Sequence, residues 1–504
     1  MPDRRYDIII IGTGAGGGTM AHALADTGAR ILVIERGDFI PQEDENWSPE
    51  AVWRDRRYRA VEEWVDGDDQ TFAPYTHYCV GGNTKFWGSA LFRLRREDFT
   101  AVEHEDGLSP AWPIQYETLA PYYDRAEALY EVHGQHGIDP TEPPRGPFPY
   151  PPVRHAPRMT TIVDRFRARG LHPFPLPLGI RSNCIPCLTC NSYACRLHAK
   201  SEADVCCVRP VLQRGNVELW TRACATRLIT NAGGTKVAAV EIDRGGEIIK
   251  VEAPLVIVSC GAINSAALLL RSATERHPRG LANSSGLVGR RYMAHLATMI
   301  SARHWRRKND IVFQKTVGLN DFYNAGPKTP VPLGHVQSQG RTDALVLKYE
   351  APWYANGLPL SWYEWWASKA VDWLVMTEDL PLPDNRVTLD ARGSIRLHYV
   401  PSNTRAHARL VNKLRRMLIG FGLVPVKHSL GTRNTTHQCG TLVFGTDPRA
   451  SVLDPFCRTH DVENLFVVDA SFFPSSAAVN PGLTIVAQAL RTADHIKETE
   501  LKSG

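Results

Sequence analysis

The sequence predicts an α/β protein of two domains, one with a parallel sheet flanked by helices and the other, an α+β substrate domain, built on an antiparallel sheet. Three observations support this fold class. With 504 residues, the chain exceeds the usual size of a single hydrophobic core. Residues 6–35 follow the order strand, glycine turn, helix and strand, which is typical of a parallel sheet. Residues 299–424 show short alternating strands, which favours an antiparallel sheet.

The N-terminal segment predicts a Rossmann-like dinucleotide-binding unit. Residues 8–11 are four consecutive isoleucines, which is typical of a parallel strand buried on both faces. The glycines that follow the pattern G-x-G-x-x-G are Gly12, Gly14 and Gly17. They permit a tight turn, a close approach of the backbone to a pyrophosphate, and close packing of the next helix. A helix over residues 17–27 would direct its N-terminal amides at the pyrophosphate. Glu35, which ends a strand over residues 30–34, would accept hydrogen bonds from ribose hydroxyls.

Charge and composition exclude several classes of function. The chain has 58 basic and 53 acidic side chains, a net charge of +5, and no long run of one sign, so neither a nucleic acid nor a membrane surface is expected as a partner. No apolar run reaches the length of a membrane-spanning helix, and the first core strand follows Met1 too closely for a signal peptide. The 11 cysteines, an odd number, agree with reduced thiols. We therefore expect a cytoplasmic protein.

The segment between the first unit and the cysteine-rich region carries weaker signals. Residues 50–65 are predicted to be helical, within a polar insertion. Residues 116–130 have apolar side chains at helical spacing and predict a second helix. Residues 140–157 are dense in proline and predict an extended connector. Between residues 65 and 116, Gly81 and Gly82 precede Trp87. This pattern fits either a flat ligand or a glycine turn beside a core aromatic side chain.

A cysteine cluster has two open interpretations. Its members are Cys184, Cys187, Cys190 and Cys195, followed by Cys206 and Cys207. Thiolates at two-residue gaps can hold zinc or an iron-sulfur cluster. The last gap departs from the ferredoxin pattern, however, and buried free cysteines pack as small hydrophobic side chains. We favour free thiols or a local disulfide and expect no metal site, while a metal centre is left open.

The second domain is predicted from its strands, one helix and a group of aromatic side chains. Residues 385–390 and 394–400 predict a hairpin, and a helix after Asn403 carries one apolar stripe and stops at Gly422. The aromatic residues are Trp353, Tyr354, Trp362, Tyr363, Trp365, Trp366 and Trp373. Such rings stack on sugar C–H faces or on other aromatic rings, and we expect core or subunit packing for most of them.

The C-terminal segment predicts the closing half of a flavin site. Residues 464–469 form an apolar strand that ends in Asp469, and Asn480, Pro481 and Gly482 open a helix. A helix N-terminus directed at the N1/C2=O edge of a flavin stabilises the negative charge of its reduced form. A single histidine is usually structural, but the position of His437 shortly before the returning strand makes a catalytic base a stronger alternative.

The ordered motifs resemble the glucose-methanol-choline (GMC) oxidoreductase family over nearly the whole chain. Besides the first glycine turn, they are VGGN at residues 80–83, WPIQYETLAPYYDRAE at 112–127, VIVSCGAINSAALLLRS at 256–272, LPDNRVTLD at 382–390, the His-x-x-Gly-Thr motif at His437 and the C-terminal NPGLT. Within the family, the cysteine-rich stretch and the His and Asn pair look closest to the bacterial pyranose oxidase and glycoside 3-oxidase branch, which acts on sugars and on C- or O-glycosides.

The resemblance implies roles for single residues. His437 would be the general base and Asn480 its partner, and FAD would accept a hydride from a secondary hydroxyl carbon, C3 or C2, of a sugar or glycoside. In fungal pyranose oxidases a histidine in the glycine-turn motif carries the covalent flavin link. Phe86 stands there in this chain, so we expect FAD to be bound without that bond. The family's threonine near flavin N5 falls at Gly88, and this difference leaves the reactivity with oxygen open.

These considerations give a full set of expected sites and segments. The expected cofactor-binding residues are Gly12, Thr13, Gly14, Ala15, Gly17, Glu35, Arg36, Gly82, Asn83, Thr84, Phe86, Gly88, Ala225, Asp469, Pro481 and Gly482. The expected segments are 1–100, 201–298 and 425–504 for the FAD-binding domain, and 101–200 and 299–424 for the substrate domain.

Rival functions of different classes remain open at this point. A dehydrogenase could pass electrons through a cysteine-bound cluster to a partner. A lyase on the same scaffold would keep FAD oxidised, and a non-catalytic flavin-binding protein would not be reduced by any substrate. The electron acceptor, O2 or a quinone, and self-association of the chain are also left open.

Overall fold

The structure is a computed structural model that describes residues 6–185, 187–313, 315–326, 329–351, 353 and 355–501. Its α-helices are α1 (Ala15–Leu24), α2 (Tyr116–Leu129), α3 (Pro157–Arg167), α4 (Arg209–Val211), α5 (Ala262–Arg271), α6 (Ala344–Tyr349), α7 (Leu360–Ala367), α8 (Thr404–Gly420) and α9 (Gly482–Thr499). Among the described helices, none combines the length and the apolar character that crossing a lipid bilayer requires.

The strands follow in chain order. They are β1 (Ile8–Ile11), β2 (Ile31–Ile34), β3 (Trp64–Asp66), β4 (Thr71–Phe72), β5 (Val102–His104), β6 (Gly107–Ser109), β7 (Val132–His133), β8 (Phe174–Pro175), β9 (Leu178–Gly179), β10 (Val217–Trp220), β11 (Ala223–Thr230), β12 (Val237–Arg244), β13 (Glu247–Val251), β14 (Leu255–Val258), β15 (Arg290–Met293), β16 (Leu296–His304), β17 (Val317–Leu319), β18 (His335–Gly340), β19 (Ala370–Thr377), β20 (Arg386–Leu389), β21 (Ile395–His398), β22 (Leu423–Ser429), β23 (Cys439–Thr441) and β24 (Leu465–Val467).

A parallel five-stranded sheet confirms the predicted α/β unit. Its strand order is β10-β2-β1-β14-β24, and Ile8 to Ile11 pair with β2 on one side and β14 on the other. All four isoleucines are buried, as a central parallel strand requires. Helices α1 and α9 pack against each other, so the two ends of the chain meet at this sheet. Strand order and burial together place β24, the C-terminal strand, beside β14 and close to the glycine turn.

A six-stranded sheet confirms the antiparallel sheet that was predicted from residues 299–424. Its order is β22-β16-β19-β18-β17-β8, and every pairing in it is antiparallel. Helix α8 buries its apolar stripe, which includes Leu410, Leu414 and Leu418, in the hydrophobic core of this layer. Gly422 ends that helix with a positive φ of 74°.

The predicted hairpin forms, but it joins a different sheet. β20 and β21 are paired antiparallel, in the order β23-β15-β20-β21-β3-β4, and β21 runs parallel to β3 from the N-terminal insertion. The hairpin therefore lies between β15 and β3 and not in the sheet around β19. The division of the chain into five segments stays a prediction.

The predicted helix over residues 50–65 is wrong beyond its first turn. Only Glu50–Arg54 is helical, and β3 begins at Trp64. Arg56 has a positive φ of 53°, which ends the helix, and Val61 is 98% exposed, so the apolar residues of this stretch do not share a buried face. Trp64 is buried instead by pairing with Phe72 of β4.

Candidate active site

A cavity of about 830 Å³ is lined by residues of the parallel sheet, of the antiparallel sheet around β19 and of both ends of the chain. Its walls include the glycine turn after β1, the segment around Gly82, the region of His437 and the start of α9. This volume is within the usual range for a cofactor together with a small substrate.

The glycine turn has the backbone geometry that a bound pyrophosphate needs. Gly12 has a φ of 102°, and a Cβ there would overlap with the carbonyl oxygen of Ser259. Gly17 is equally restricted, because a Cβ would overlap with the carbonyl oxygen of Gly12. At Gly14, by contrast, a Cβ would meet no atom within 4 Å, so this position opens into the cavity. Ala15 begins α1, whose N-terminal amides therefore face the same space.

Glu35 and Arg36 lie on the cavity wall at the end of β2. The Oε2 atom of Glu35 accepts hydrogen bonds from the hydroxyl of Thr13 at 2.6 Å and from its backbone amide at 3.3 Å, and Oε1 accepts one from the amide of Gly37 at 3.0 Å. Burial raises the pKa of Glu35, while these hydrogen bonds oppose the shift. The guanidinium of Arg36 lies over the ring of Tyr78 and forms an ion pair with Glu62 at 3.0 Å.

The second glycine turn contacts the first one directly. A Cβ at Gly82 would lie 3.3 Å from the Cα of Gly14. Asn83 points back into the protein, where its Oδ1 accepts a hydrogen bond from the amide of His77 at 2.9 Å. Thr84 is buried and donates to the carbonyl oxygen of Gly81 at 2.6 Å. The two turns therefore form one continuous wall of the cavity.

Phe86 stands at the position where the family resemblance places a histidine that can be linked covalently to flavin. Its ring stacks on the imidazole of His77 with centroids 3.7 Å apart and an interplanar angle of 14°. Burial lowers the pKa of His77 to about 3, so this imidazole is neutral. A phenyl ring has no nucleophilic atom, which agrees with non-covalent binding of a flavin at this position.

The C-terminal segment and β11 contribute further residues to the cavity lining. Ala225, on β11, and Asp469 both line it. The carboxylate of Asp469 is used internally, since it accepts hydrogen bonds from the amides of Gly261 at 2.9 Å and Ser471 at 2.8 Å. Pro481 and Gly482 begin α9, as the sequence predicts. The start of this helix contacts the Trp87 ring, because a Cβ at Gly482 would lie 2.7 Å from its Cζ3 atom.

The structure brings His437 and Asn480 together at the cavity. The Nδ2 atom of Asn480 lies 3.5 Å from Nε2 of His437, and both residues line the cavity. A second histidine, His295, lies behind them, with its Nδ1 atom 2.9 Å from Nδ1 of His437. The Nε2 atom of His295 lies 3.1 Å from the carbonyl oxygen of Ser476.

Hydrogen-bond chemistry assigns the tautomers in the row of groups formed by the Ser476 carbonyl, His295, His437 and Asn480. A carbonyl oxygen only accepts, so Nε2 of His295 carries the hydrogen and its Nδ1 is bare in the neutral ring. The 2.9 Å contact then needs a hydrogen on Nδ1 of His437. The Nε2 atom of His437 consequently carries no hydrogen, and its lone pair faces the cavity and the Nδ2 group of Asn480, which lies 3.5 Å away. This is the arrangement that a general base requires.

The electrostatic surroundings keep the two rings neutral. Burial lowers the pKa of His437 well below its usual value of 6.5, and repulsion from His295 and Lys315 acts in the same direction. Burial also lowers the pKa of His295, although the carbonyl groups of Ser476 and Ala477 oppose that shift. At neutral pH the pair can therefore accept a proton without first losing one.

Sequence reasoning missed His295 and Lys315. His295 follows β15, and Lys315 precedes β17, so neither lies within a motif that predicts a site. Both residues line the cavity because the sheets containing β15 and β17 meet there. For His295, the only local signal is a histidine directly after a strand, which is too common to indicate function.

The aromatic group divides into buried and exposed members, so core packing holds for only part of it. Trp373 and Tyr363 are buried, whereas Trp353, Trp362 and Trp365 are 87%, 37% and 50% exposed. Trp362 and Trp366 are stacked with centroids 5.6 Å apart and line the cavity together with Tyr363. Because α7 places them on the cavity side, they form an aromatic wall. Tyr354 lies outside the described residues, and subunit packing stays a prediction.

The cysteines are present as thiols. All 11 are free, and the described part of the chain contains no group of three or more His, Cys, Asp or Glu side chains arranged to hold a metal ion. Burial raises the pKa of Cys184 to about 12 and also raises that of Cys190. The amide of Ala199 donates to the sulfur of Cys195 at 3.3 Å. The local-disulfide alternative is thus not what the structure contains.

Comparison with known proteins gives a consistent result across the chain. Models of the GMC oxidoreductase family match residues 6–297 and 381–489. The chain is 31% identical to paromamine 6'-oxidase from Streptomyces fradiae and to 6'''-hydroxyparomomycin C oxidase from Streptomyces lividus, over 97% of this chain and 91% of each relative. Among solved structures, a variant of formate oxidase from Aspergillus oryzae superimposes with a TM-score of 0.72 at 15% identity, covering 99% of both chains.

Proposed function

The chain belongs to the GMC oxidoreductase family of FAD-dependent enzymes, and from this premise we propose that it oxidises a secondary hydroxyl, at C3 or C2, of a sugar or glycoside to a ketone. One observation carries the proposal: the bare Nε2 atom of His437 and the amide of Asn480 lie side by side on a cavity large enough for a cofactor and a sugar. In its coarser form, the function is the oxidation of CH–OH groups.

The residues of the pair have complementary roles in this proposal. The Nε2 atom of His437 takes the hydroxyl proton of the substrate, and the Nδ2 group of Asn480 donates a hydrogen bond to the same oxygen as it becomes a carbonyl oxygen. FAD, when bound, supplies the acceptor for the hydride that leaves the carbon. Gly14, Gly82 and the start of α9 would hold the cofactor, and Trp87 would limit its position at the end nearest α9.

The aromatic wall supports a sugar as the substrate. Trp362 and Trp366 line the cavity, and aromatic rings of this kind stack on the C–H faces of pyranose rings. Gln339, from β18, lines the same space and offers an amide to ring hydroxyls. Stacking fixes the plane of the sugar, which is the positioning that hydride transfer needs.

A second candidate is oxidation of a primary hydroxyl of an aminosugar to an aldehyde. The names of the two relatives that are 31% identical describe oxidation of aminoglycosides at a 6' or 6''' position. Asp343 and Glu350 line the cavity on the side of α6, where a carboxylate could pair with an ammonium group of such a substrate.

One experiment separates these candidates. The purified yellow protein is mixed without oxygen with a panel of glucose, C- and O-glycosides and aminoglycosides, and bleaching of FAD and the product are followed. We expect bleaching by a sugar or glycoside and a ketone at C3 or C2. An aldehyde product selects the second candidate. Turnover without bleaching would indicate a lyase, and bleaching by none of these compounds would overturn both sugar proposals.

Further expectations follow from the proposed reaction. We propose residence in the cytoplasm and O2 or a quinone as the acceptor, and we keep self-association as a prediction. FAD binding without a covalent bond is checked by precipitating the protein with acid, which should release all of the yellow cofactor into the supernatant.

Glu35→Gln should weaken FAD binding by roughly 10-fold or more, because a charged acceptor for a ribose hydroxyl is lost. The dissociation constant is measured by titrating the apoprotein with FAD and following quenching of flavin fluorescence. Glu241→Gln, on β12 outside the cavity lining, is a matched control. An unchanged dissociation constant for Glu35→Gln would remove this carboxylate from the cofactor site.

A further inference from the structure

Lys315 is a buried lysine whose ammonium group lies beside Gly88, in space that a larger residue at position 88 would fill. Its side chain is 5% exposed and lines the cavity that also contains His437. A Cβ at residue 88 would overlap with Nζ of Lys315 and would lie 2.6 Å from its Cε. The glycine at residue 88, where the family resemblance expects a threonine near flavin N5, therefore makes space for an ammonium group.

The ammonium of Lys315 has no counter-charge in the described part of the chain. No salt bridge of Lys315 occurs there, whereas the buried Lys85 is paired with Asp204 at 2.8 Å and with Glu202. The buried Lys200 donates to the carbonyl oxygens of Lys85 and Tyr193. An unpaired buried cation is costly, so its retention at a cofactor cavity indicates a function.

The groups around Lys315 agree with a partly charged amine that acts on the cavity. Burial lowers its pKa to about 8, the thiol of Cys190 opposes that shift, and Lys200 reinforces it. The charge of Lys315 in turn helps to lower the pKa of His437. Because the lowered pKa of His437 favours its neutral form, His437 is a poor source of lasting positive charge. Lys315 is therefore the cation available near the reacting end of the cavity.

We propose that Lys315 promotes the reduction of O2, which makes O2 the electron acceptor of this enzyme. This inference rests on the proposed oxidation of an alcohol. Each turnover removes two electrons and two protons from the alcohol, and one O2 takes up both to give one H2O2. Uptake of the first electron turns neutral O2 into an anion, and the buried ammonium of Lys315, which already lines the cavity, stabilises that anion with little reorganisation.

The test separates the oxidative step from sugar oxidation. The holoenzyme is reduced with dithionite, freed of excess reductant, and mixed with O2 in a stopped-flow instrument. Lys315→Met should lower the second-order rate constant of reoxidation by about 10-fold or more, and Lys315→Arg should lower it less. Since dithionite replaces the sugar, a failure of the proposed substrate would leave this test unaffected.

A binding measurement provides a second readout. Sulfite adds to oxidised flavins as an anion, so its dissociation constant, followed by the loss of flavin absorbance, should rise about 10-fold in Lys315→Met. If the methionine variant does not retain FAD, the same measurements are made on Lys315→Gln, which also lacks the positive charge. Lys427→Met is the matched control, because Val426 and His428 on β22 face the cavity and Lys427 points away. Unchanged O2 and sulfite values in a variant that retains FAD would overturn the proposal.

Discussion

His437→Ala should lower the rate of FAD reduction by substrate about 1,000-fold, while the protein keeps its cofactor. The variant removes the Nε2 lone pair that accepts the hydroxyl proton, and general base catalysis contributes about 100- to 10,000-fold. Asn480 and the cofactor cavity are left in place, so binding of FAD does not depend on this ring. The measurement is anaerobic stopped-flow absorbance of the bound flavin at saturating substrate.

The control for this prediction is a histidine outside the cavity. His172→Ala removes a side chain that is 60% exposed and paired with Asp321. Substrate should therefore reduce the FAD of this variant at the same rate as the FAD of the unmodified protein. A rate in His437→Ala within tenfold of that control would exclude His437 as the base. Loss of FAD from the variant would instead indicate a structural role.

The pH dependence of the same step should show an unusually acidic limb. His437 acts as a base only when neutral, and burial with the nearby charges places its pKa well below 6.5. The rate of FAD reduction should therefore be constant from pH 8 to pH 6.5 and should fall only at lower pH, as the imidazole becomes protonated. A fall centred at pH 6.5 or above would show that the base is not held neutral in the way the structure indicates.

The parts of the molecule that were predictable from the sequence are those that depend on local signals. The run of isoleucines in β1, the glycines that follow it and the start of α9 at Pro481 each have a local pattern, and the structure contains the predicted elements. The parallel sheet and the second antiparallel sheet are likewise confirmed. The pair of His437 and Asn480 was implied by the resemblance of the surrounding motifs to the GMC family, and the structure brings the two residues to one place, although their roles remain predictions.

The features that were missed depend on contacts between distant parts of the chain. His295 is 142 residues from His437, and only the meeting of β15 with the C-terminal segment makes them neighbours. Lys315 becomes informative only because residue 88 is a glycine. Trp362 and Trp366 resemble core residues in composition, and their place on the cavity follows from the orientation of α7. The helix expected over residues 50–65 failed because its apolar residues lack a common buried face.

His295→Leu should lower the rate of FAD reduction by roughly 10- to 100-fold, although His295 is a positioning residue that acts through His437. Leucine cannot accept the hydrogen on Nδ1 of His437, so the base loses the contact that fixes its tautomer and leaves Nε2 bare. At low pH, where both rings can take up a proton, repulsion from protonated His295 lowers the pKa of His437, and the variant lacks that repulsion. The acidic limb of the pH profile should therefore move to higher pH, which a purely structural defect would not cause.

His295→Gln is the matched variant for this prediction. Its side-chain oxygen can accept from Nδ1 of His437, and its NH2 group can donate to the carbonyl oxygen of Ser476, so both hydrogen bonds of the row can be kept. We expect it to recover most of the rate lost in His295→Leu. Equal rates and equal pH profiles in the two variants would contradict the tautomer assignment, because the two side chains differ in their ability to hold that hydrogen. Equal losses with release of FAD would instead place His295 among the residues that only support the cavity.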